Sequence, residues 1–297
     1  MSLQPDRRAV IHDLGYRPYT GERLGPGYVA WSLYRLGARH CFGLGRSGKS
    51  KVLPFGLLAL MVGPAVILVG VIVLVPSFDR HIVDYTSYPV VTQLLISVFV
   101  AAQAPVLFSR DIRYRTLALY FARPLPRTTF VLVRYASLVT AVLILVASPL
   151  LVLYLGGLLA GLPFGRETGD VLVALLGALL LALLLSGFAA VIAAVTTRRG
   201  LAVAAIVVAL VLSFGVVQAV KGIALSSDAE GVGVAAGVFS PYTLVDGVLV
   251  WAFDVLPAGL LPPASTVAGI GYVAVAVLIV VGALGLLVWR YRRLAAG

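Results

Sequence analysis

Six stretches of this chain carry no charged residue and are long enough, as helices, to cross a bilayer. They are 53–75, 90–108, 135–160, 171–195, 201–220 and 266–289. A helix rises about 1.5 Å per residue, so about 20 residues cover a hydrocarbon core about 30 Å thick. Inside that core every backbone N–H and C=O must find its partner within the protein, which a helix provides along its own length. An all-α integral membrane protein with six spans is therefore the expected fold. Pro64, Pro105 and Pro149 fall inside spans, where neighbouring helices can satisfy the carbonyls they free. Composition agrees: 61% of the residues are hydrophobic and only 12% charged, against about 25% charged in a soluble domain.

The net charge of +11 has a location that matters more than its sum. Nine Lys/Arg precede the first span, six lie between the second and third, two are Arg198 and Arg199, and three are Arg290, Arg292 and Arg293. Those make twenty of the 23, all on one side if the spans alternate; Arg80, Arg166 and Lys221 are left on the other. Basic loops stay in the cytoplasm, so both termini are expected inside the cell inner (plasma) membrane. The positive charge then speaks of orientation and lipid headgroups, with no nucleic acid expected as a partner. The chain divides into a cytoplasmic segment 1–52, a six-span domain 53–290 and a tail 291–297. The first 25 residues lack the apolar core of a signal peptide, so insertion is expected to rest on the spans. The single cysteine, Cys41, allows no internal disulfide.

Residues 28–42 predict an amphipathic helix lying in the membrane interface. Ser32, Arg35 and Arg39 share one face, Val29, Leu33 and Leu36 another, and Cys41 is a small apolar residue of it. Residues 109–134 predict a short basic helix between spans two and three. Ser109 is its expected N-cap, Asp111 sits in its first turn, and Pro124 and Pro126 end it; Thr128 or Thr129 then caps the next helix. Such a segment is either a positive-inside loop or a docking handle for a cytoplasmic partner, and its six arginines favour the second. Residues 240–263 are apolar but broken by Asp246, Asp254, Pro257, Pro262 and Pro263. They predict one or two short helices that dip into the outer leaflet and return, at the mouth of a pathway. The alternative is an interfacial cap with Tyr242 and Trp251 as belt aromatics. Gly157 and Gly161 form a GxxxG, and Ala189, Ala190, Ala193 and Ala194 line span four; both patterns permit close helix packing.

Several patterns look chemical. Residues 43–50 spell GLGRSGKS, which matches a phosphate loop. A working phosphate loop follows a buried strand and opens a helix that faces phosphates. Here a basic helical stretch precedes it and a span follows, so a flexible hinge is expected, with Arg46, Lys49 and Lys51 at headgroups. His12, His40 and His81 all fall outside the spans, and no Cys, Asp or Glu falls within one. Intramembrane catalysis and a metal site thus lack their residues. Asp79, His81 and Asp84 read as an exposed loop. Gln93, Gln103, Ser148 and Gln218 are the most polar groups within spans. Ion-driven carriers usually keep ionisable groups there, so energy for uphill transport is expected from another subunit.

The pattern as a whole resembles the ABC-2 type permease family of ATP-binding cassette exporters. The resemblance rests on the polar N-terminus with its amphipathic helix, six spans, the basic helix after span two and the re-entrant segment before span six. Its most specific part is 111–134. Asp111 stands for the family's acid, Thr116 and Leu117 for Thr-Leu, Pro124 for its proline and Arg134 near its lysine; Arg115 and Ala118 depart from Gly and Glu. Gly15 to Gly21 (GYRPYTG) also looks like the start of actinobacterial members. The resemblance implies a non-enzymatic subunit that pairs with a second permease, identical or related, and with ATP-binding cassette ATPase subunits. ATP and Mg would be bound by those ATPases and no cofactor by this chain. It implies docking at Asp111, Arg113, Arg115, Thr116, Leu117, Tyr120, Arg123, Arg35 and Arg39. It also implies an outer gate at Tyr242, Asp246, Trp251 and Asp254, and no catalytic or metal residue. An apolar or amphiphilic substrate suits such spans. A stand-alone gradient-driven carrier or channel is the alternative; a membrane enzyme or scaffold is a third.

Overall fold

The computed structural model describes residue 21 and residues 24–74, 84–114, 120, 125–196 and 198–294. Every regular element among the described residues is helical. In chain order these are α1 (Pro26–Cys41), α2 (Lys49–Leu74), α3 (Tyr88–Val91), α4 (Gln93–Leu107), α5 (Ser109–Arg113), α6 (Arg127–Leu159), α7 (Phe164–Val195) and α8 (Arg199–Ser226). Then come α9 (Glu230–Ala236), a 3-10 turn (Gly237–Phe239), α10 (Pro241–Phe253) and α11 (Thr266–Leu294). Six helices are long and apolar enough to cross a membrane: α2, α4 with α5, α6, α7, α8 and α11. Each of the six runs past at least one end of the apolar stretch that announces it. α6 has 33 residues and begins at Arg127. At about 1.5 Å per residue it is about 50 Å long and outreaches a hydrocarbon core.

α4 is the enclosed centre, with 78% of its apolar window buried, against 11% for α2. It lies among α2, α6, α7 and α8. α6 and α7 form an antiparallel hairpin, α2 and α1 pack on α6, and α11 packs on α7 and α10. Small residues set these approaches. A Cβ at Gly156 would collide with Val69 of α2, and one at Gly37 would come within 2.5 Å of Ser137 Oγ. Ala189, Ala190, Ala193 and Ala194 are all buried, as close packing requires. The GxxxG needs correction. Gly157 faces Leu162 and Glu167, while Gly161 (φ 80°) turns the chain between α6 and α7 with open space where a Cβ would be. The helix-packing glycine is Gly156.

Three local expectations also change. Residues 42–48 are an ordered turn, not a hinge. Leu44 N–H donates to Arg39 O at 2.9 Å, and Ser50 Oγ donates to Ser47 O at 2.7 Å. Gly43 (φ 66°) lies so close to the Ser50 carbonyl that no Cβ would fit. On α1 the packed face is Leu33, Gly37 and Cys41, spaced by fours. Leu36 points away, 45% exposed. Tyr34 fixes the register, its hydroxyl 2.9 Å from Thr140 Oγ1 of α6. Finally, neither Ser109 nor a threonine caps a helix. Phe108 and Pro126 hold the cap positions of α5 and α6, with no side-chain cap bond.

Between α8 and α11 the chain makes a broken hairpin. The helical pieces Glu230–Phe239 and Pro241–Phe253 meet at 118°. Residues 254–265 then cross back to α11 without regular structure.

Candidate functional site

The bundle has two polar ends. At the first, the junction of α4 and α5 meets the starts of α6 and the ends of α7 and α11. Ser109 Oγ donates to Ala193 O at 2.6 Å, and Tyr291 OH donates to Phe108 O at 3.2 Å. Arg134 Nη2 donates to Asp111 Oδ2 at 2.7 Å. Both partners are buried, at 3% and 5% exposure. The guanidinium also stands 5.3 Å from the Phe130 ring and 5.7 Å from the Tyr120 ring, and its Nε is buried without a hydrogen bond. So Asp111, where docking was expected, is buried and ties the end of the second span to the start of the third. Sequence reasoning had no means to choose between a dipole-side carboxylate and a buried one. The signal lay in Arg134, which falls on one helical stripe with the buried Phe130, Leu138 and Ala141.

Around this buried pair the surface is basic. Arg35 and Arg39 are exposed on α1, as are Arg46, Arg110 and Arg113. Arg113 lies 5.7 Å over the ring of Tyr114, which is itself 65% exposed. Tyr120 is half-buried against Phe130 at 5.2 Å. Arg115, Thr116, Leu117 and Arg123 lie outside the described residues. His40 titrates below its ordinary range, through burial first and then through the nearby charges of Arg110, Arg134 and Arg46. Burial pushes the Cys41 thiol up to about 12, so it stays protonated and unreactive.

The opposite end is built around the broken hairpin. Tyr242 is fully buried: its hydroxyl lies 2.8 Å from Ser97 Oγ and donates to Gln93 O at 3.0 Å, while Phe214 meets its ring edge-on. Asp246 is buried too and accepts the N–H groups of Ala258 (3.0 Å) and Gly259 (3.2 Å). Trp251 is half-buried over Gly269, where a Cβ would strike its ring. Asp254 is exposed and left-handed (φ 53°), ending α10. The four expected gate residues thus share one segment but not one surface. Two are interior anchors, one packs on α11 and one faces out. Beside Asp254 opens a cavity of about 580 Å³ whose lining includes Asp84, Glu167, Asp170, Arg166 and Leu256. Tyr85 OH donates to Glu167 Oε2 at 2.5 Å across it, and burial with that bond pushes the Tyr85 hydroxyl up.

Lys221 is a buried residue that the sequence reads as the start of a loop. Its charge ends the apolar run; in the fold α8 continues to Ser226 and Lys221 is only 2% exposed. Its ammonium donates to Leu260 O at 2.8 Å. The spacing held the clue, because Lys221 falls on the stripe of Ala202, Ile206, Leu210, Val217 and Ala224, all buried. With Asp246, it places two ionisable groups in the interior beneath the broken hairpin. Among the described residues no three His, Cys, Asp or Glu side chains gather as a metal site.

No protein-family model matches this chain, and no curated protein matches it significantly.

Proposed function

We propose that this chain is the permease subunit of an ABC exporter of the ABC-2 type, moving an apolar or amphiphilic substrate out of the cytoplasm. ATP hydrolysis belongs to a separate ATPase that docks on the exposed arginines around α5 and α1, and a second permease completes the pathway. Both termini lie in the cytoplasm and the broken hairpin lies outside. The observation that carries this reading is the bent helix pair, at 118°, inserted between the last two of six spans, with the exposed arginines gathered at the other end of the bundle. A bent pair at membrane depth is tolerated only where protein or a water-filled cavity surrounds it, as at the mouth of a path. The basic end offers a surface that force from an acidic ATPase groove could grip.

The test is the double variant Arg113→Glu with Arg115→Glu. It should lose the co-purifying ATPase and ATP-driven export while the spans stay folded. Normal co-purification of the ATPase with that variant would refute the docking site.

One observation favours the alternative, a stand-alone gradient-driven carrier. Lys221 and Asp246 are buried charges, and buried ionisable groups often mark coupling-ion paths. Liposomes holding only this chain separate the two readings. Flux without ATP supports the carrier; no flux until an ATPase is added supports the exporter.

A further inference from the structure

Two buried side chains of opposite charge grip three consecutive residues between them. Asp246 of α10 accepts the N–H groups of Ala258 and Gly259, and Lys221 of α8 donates to the carbonyl of Leu260. The carboxylate takes the donors and the ammonium takes the acceptor. The two charged groups make no ion pair with each other. The gripped stretch is bounded by Asp254 (φ 53°) and Leu261 (φ 46°), two non-glycine residues in the left-handed region that a Cβ disfavours. Gln218 Oε1 is buried beside Gly259 without a hydrogen bond; a Cβ on Gly259 would lie 3.8 Å from it.

We propose that residues 254–261 form a strap latched over this end of the bundle by Asp246 and Lys221, and that its release lets those two side chains pair with each other. A buried charge left without a partner is costly, so each needs one in both states. The strap backbone serves when the strap is down, and the opposite charge serves when it lifts. Two discrete sets of partners for the same groups make a two-state element. The first half of the strap, Asp254, Val255 and Leu256, lines the cavity of about 580 Å³, so release widens that cavity toward Asp246. Calling this the outer gate rests on the exporter reading, but the latch does not.

Backbone hydrogen exchange of the purified full chain in nanodiscs tests it. The amides of Ala258 and Gly259 should be protected. Asp246→Asn should speed their exchange about tenfold, since the amide keeps one neutral acceptor oxygen and puts an N–H donor where the other carboxylate oxygen stood. Lys221→Met should loosen the same stretch. The charge swap, Lys221→Asp with Asp246→Lys, should stay loose, because the strap's N–H groups still need an acceptor at 246 and its carbonyl a donor at 221. Unchanged exchange in Asp246→Asn, or protection restored by the swap as a simple ion pair would restore it, overturns the latch. Protection across 135–160 shows that each variant is folded. A cross-link tests the strap without disturbing its charges: Gln218→Cys with Gly259→Cys, in a Cys41→Ala background, should be bridged by a short bifunctional thiol reagent, which spans the space the Gln218 side chain fills between its own Cβ and Gly259. Failure to cross-link refutes the placement. Neither readout involves ATP, so a failed ATPase test would leave both standing.

Discussion

Arg134→Met should destabilise the fold by about 3–5 kcal/mol, the cost of removing one partner from a buried ion pair. Methionine keeps the length and apolar bulk of the arginine stem, so the cavity contribution is small. What is lost is the 2.7 Å bond to Asp111 and the cation's position 5.3 Å from the Phe130 ring. What remains is a carboxylate at 5% exposure that has lost the Arg134 guanidinium. The magnitude decides which effect operates. An ordinary interhelical hydrogen bond in a bilayer contributes about 0.6 kcal/mol on average, so a loss several times larger marks the breaking of a buried charge pair. The double variant Asp111→Leu with Arg134→Met should recover most of the stability, since apolar replacement of a whole buried pair is often neutral. Equilibrium unfolding in mixed micelles, read by tryptophan fluorescence, gives both values. A cost below about 1 kcal/mol for Arg134→Met, or a double variant as unstable as the sum of the singles, would refute the argument.

Gly156→Val should cost about 1–3 kcal/mol by overpacking, because its Cβ would enter the space of Val69; the unfolding midpoint of this variant set against Gly63→Val, where space is open, checks it. A pH dependence should come from His40. Its folded pKa is lowered from 6.5, so the unfolded chain binds the proton more readily. Stability is then complete above 6.5 and falls as pH drops through 6.5 toward the depressed value. Thermal midpoints from about pH 8 to 5 should decline less steeply in His40→Gln than in the parent chain; equal slopes would remove His40 from the account.

What the sequence made legible follows from what dominates the energy. Six apolar runs specify six spans, because the bilayer leaves a helix no other solution. The break at 240–263 was equally readable, since two acids and three prolines crowd into that one stretch. Helix ends were not: α6 begins eight residues before the apolar run at 135, where polar side chains still suit a helix that projects past the lipid. Pairings between distant residues were hidden too. Lys221 finds its carbonyl 39 positions away, and Asp111 finds Arg134 23 positions away. Composition reads both as surface charge, while the helical stripe on which each of Lys221 and Arg134 falls points inward. The basic surface was legible only as charge; which arginines are exposed depended on which one the core had claimed.

The glycine turn at 43–48 joins α1 covalently to α2, yet α1 is seated on α6. Gly37 nests against Ser137, whose hydroxyl donates to Tyr34 O at 3.1 Å, and Tyr34 in turn meets Thr140. A push delivered to α1 therefore turns the third span directly. The first span, though next in sequence, feels it through that turn and at second hand through its own packing on α6.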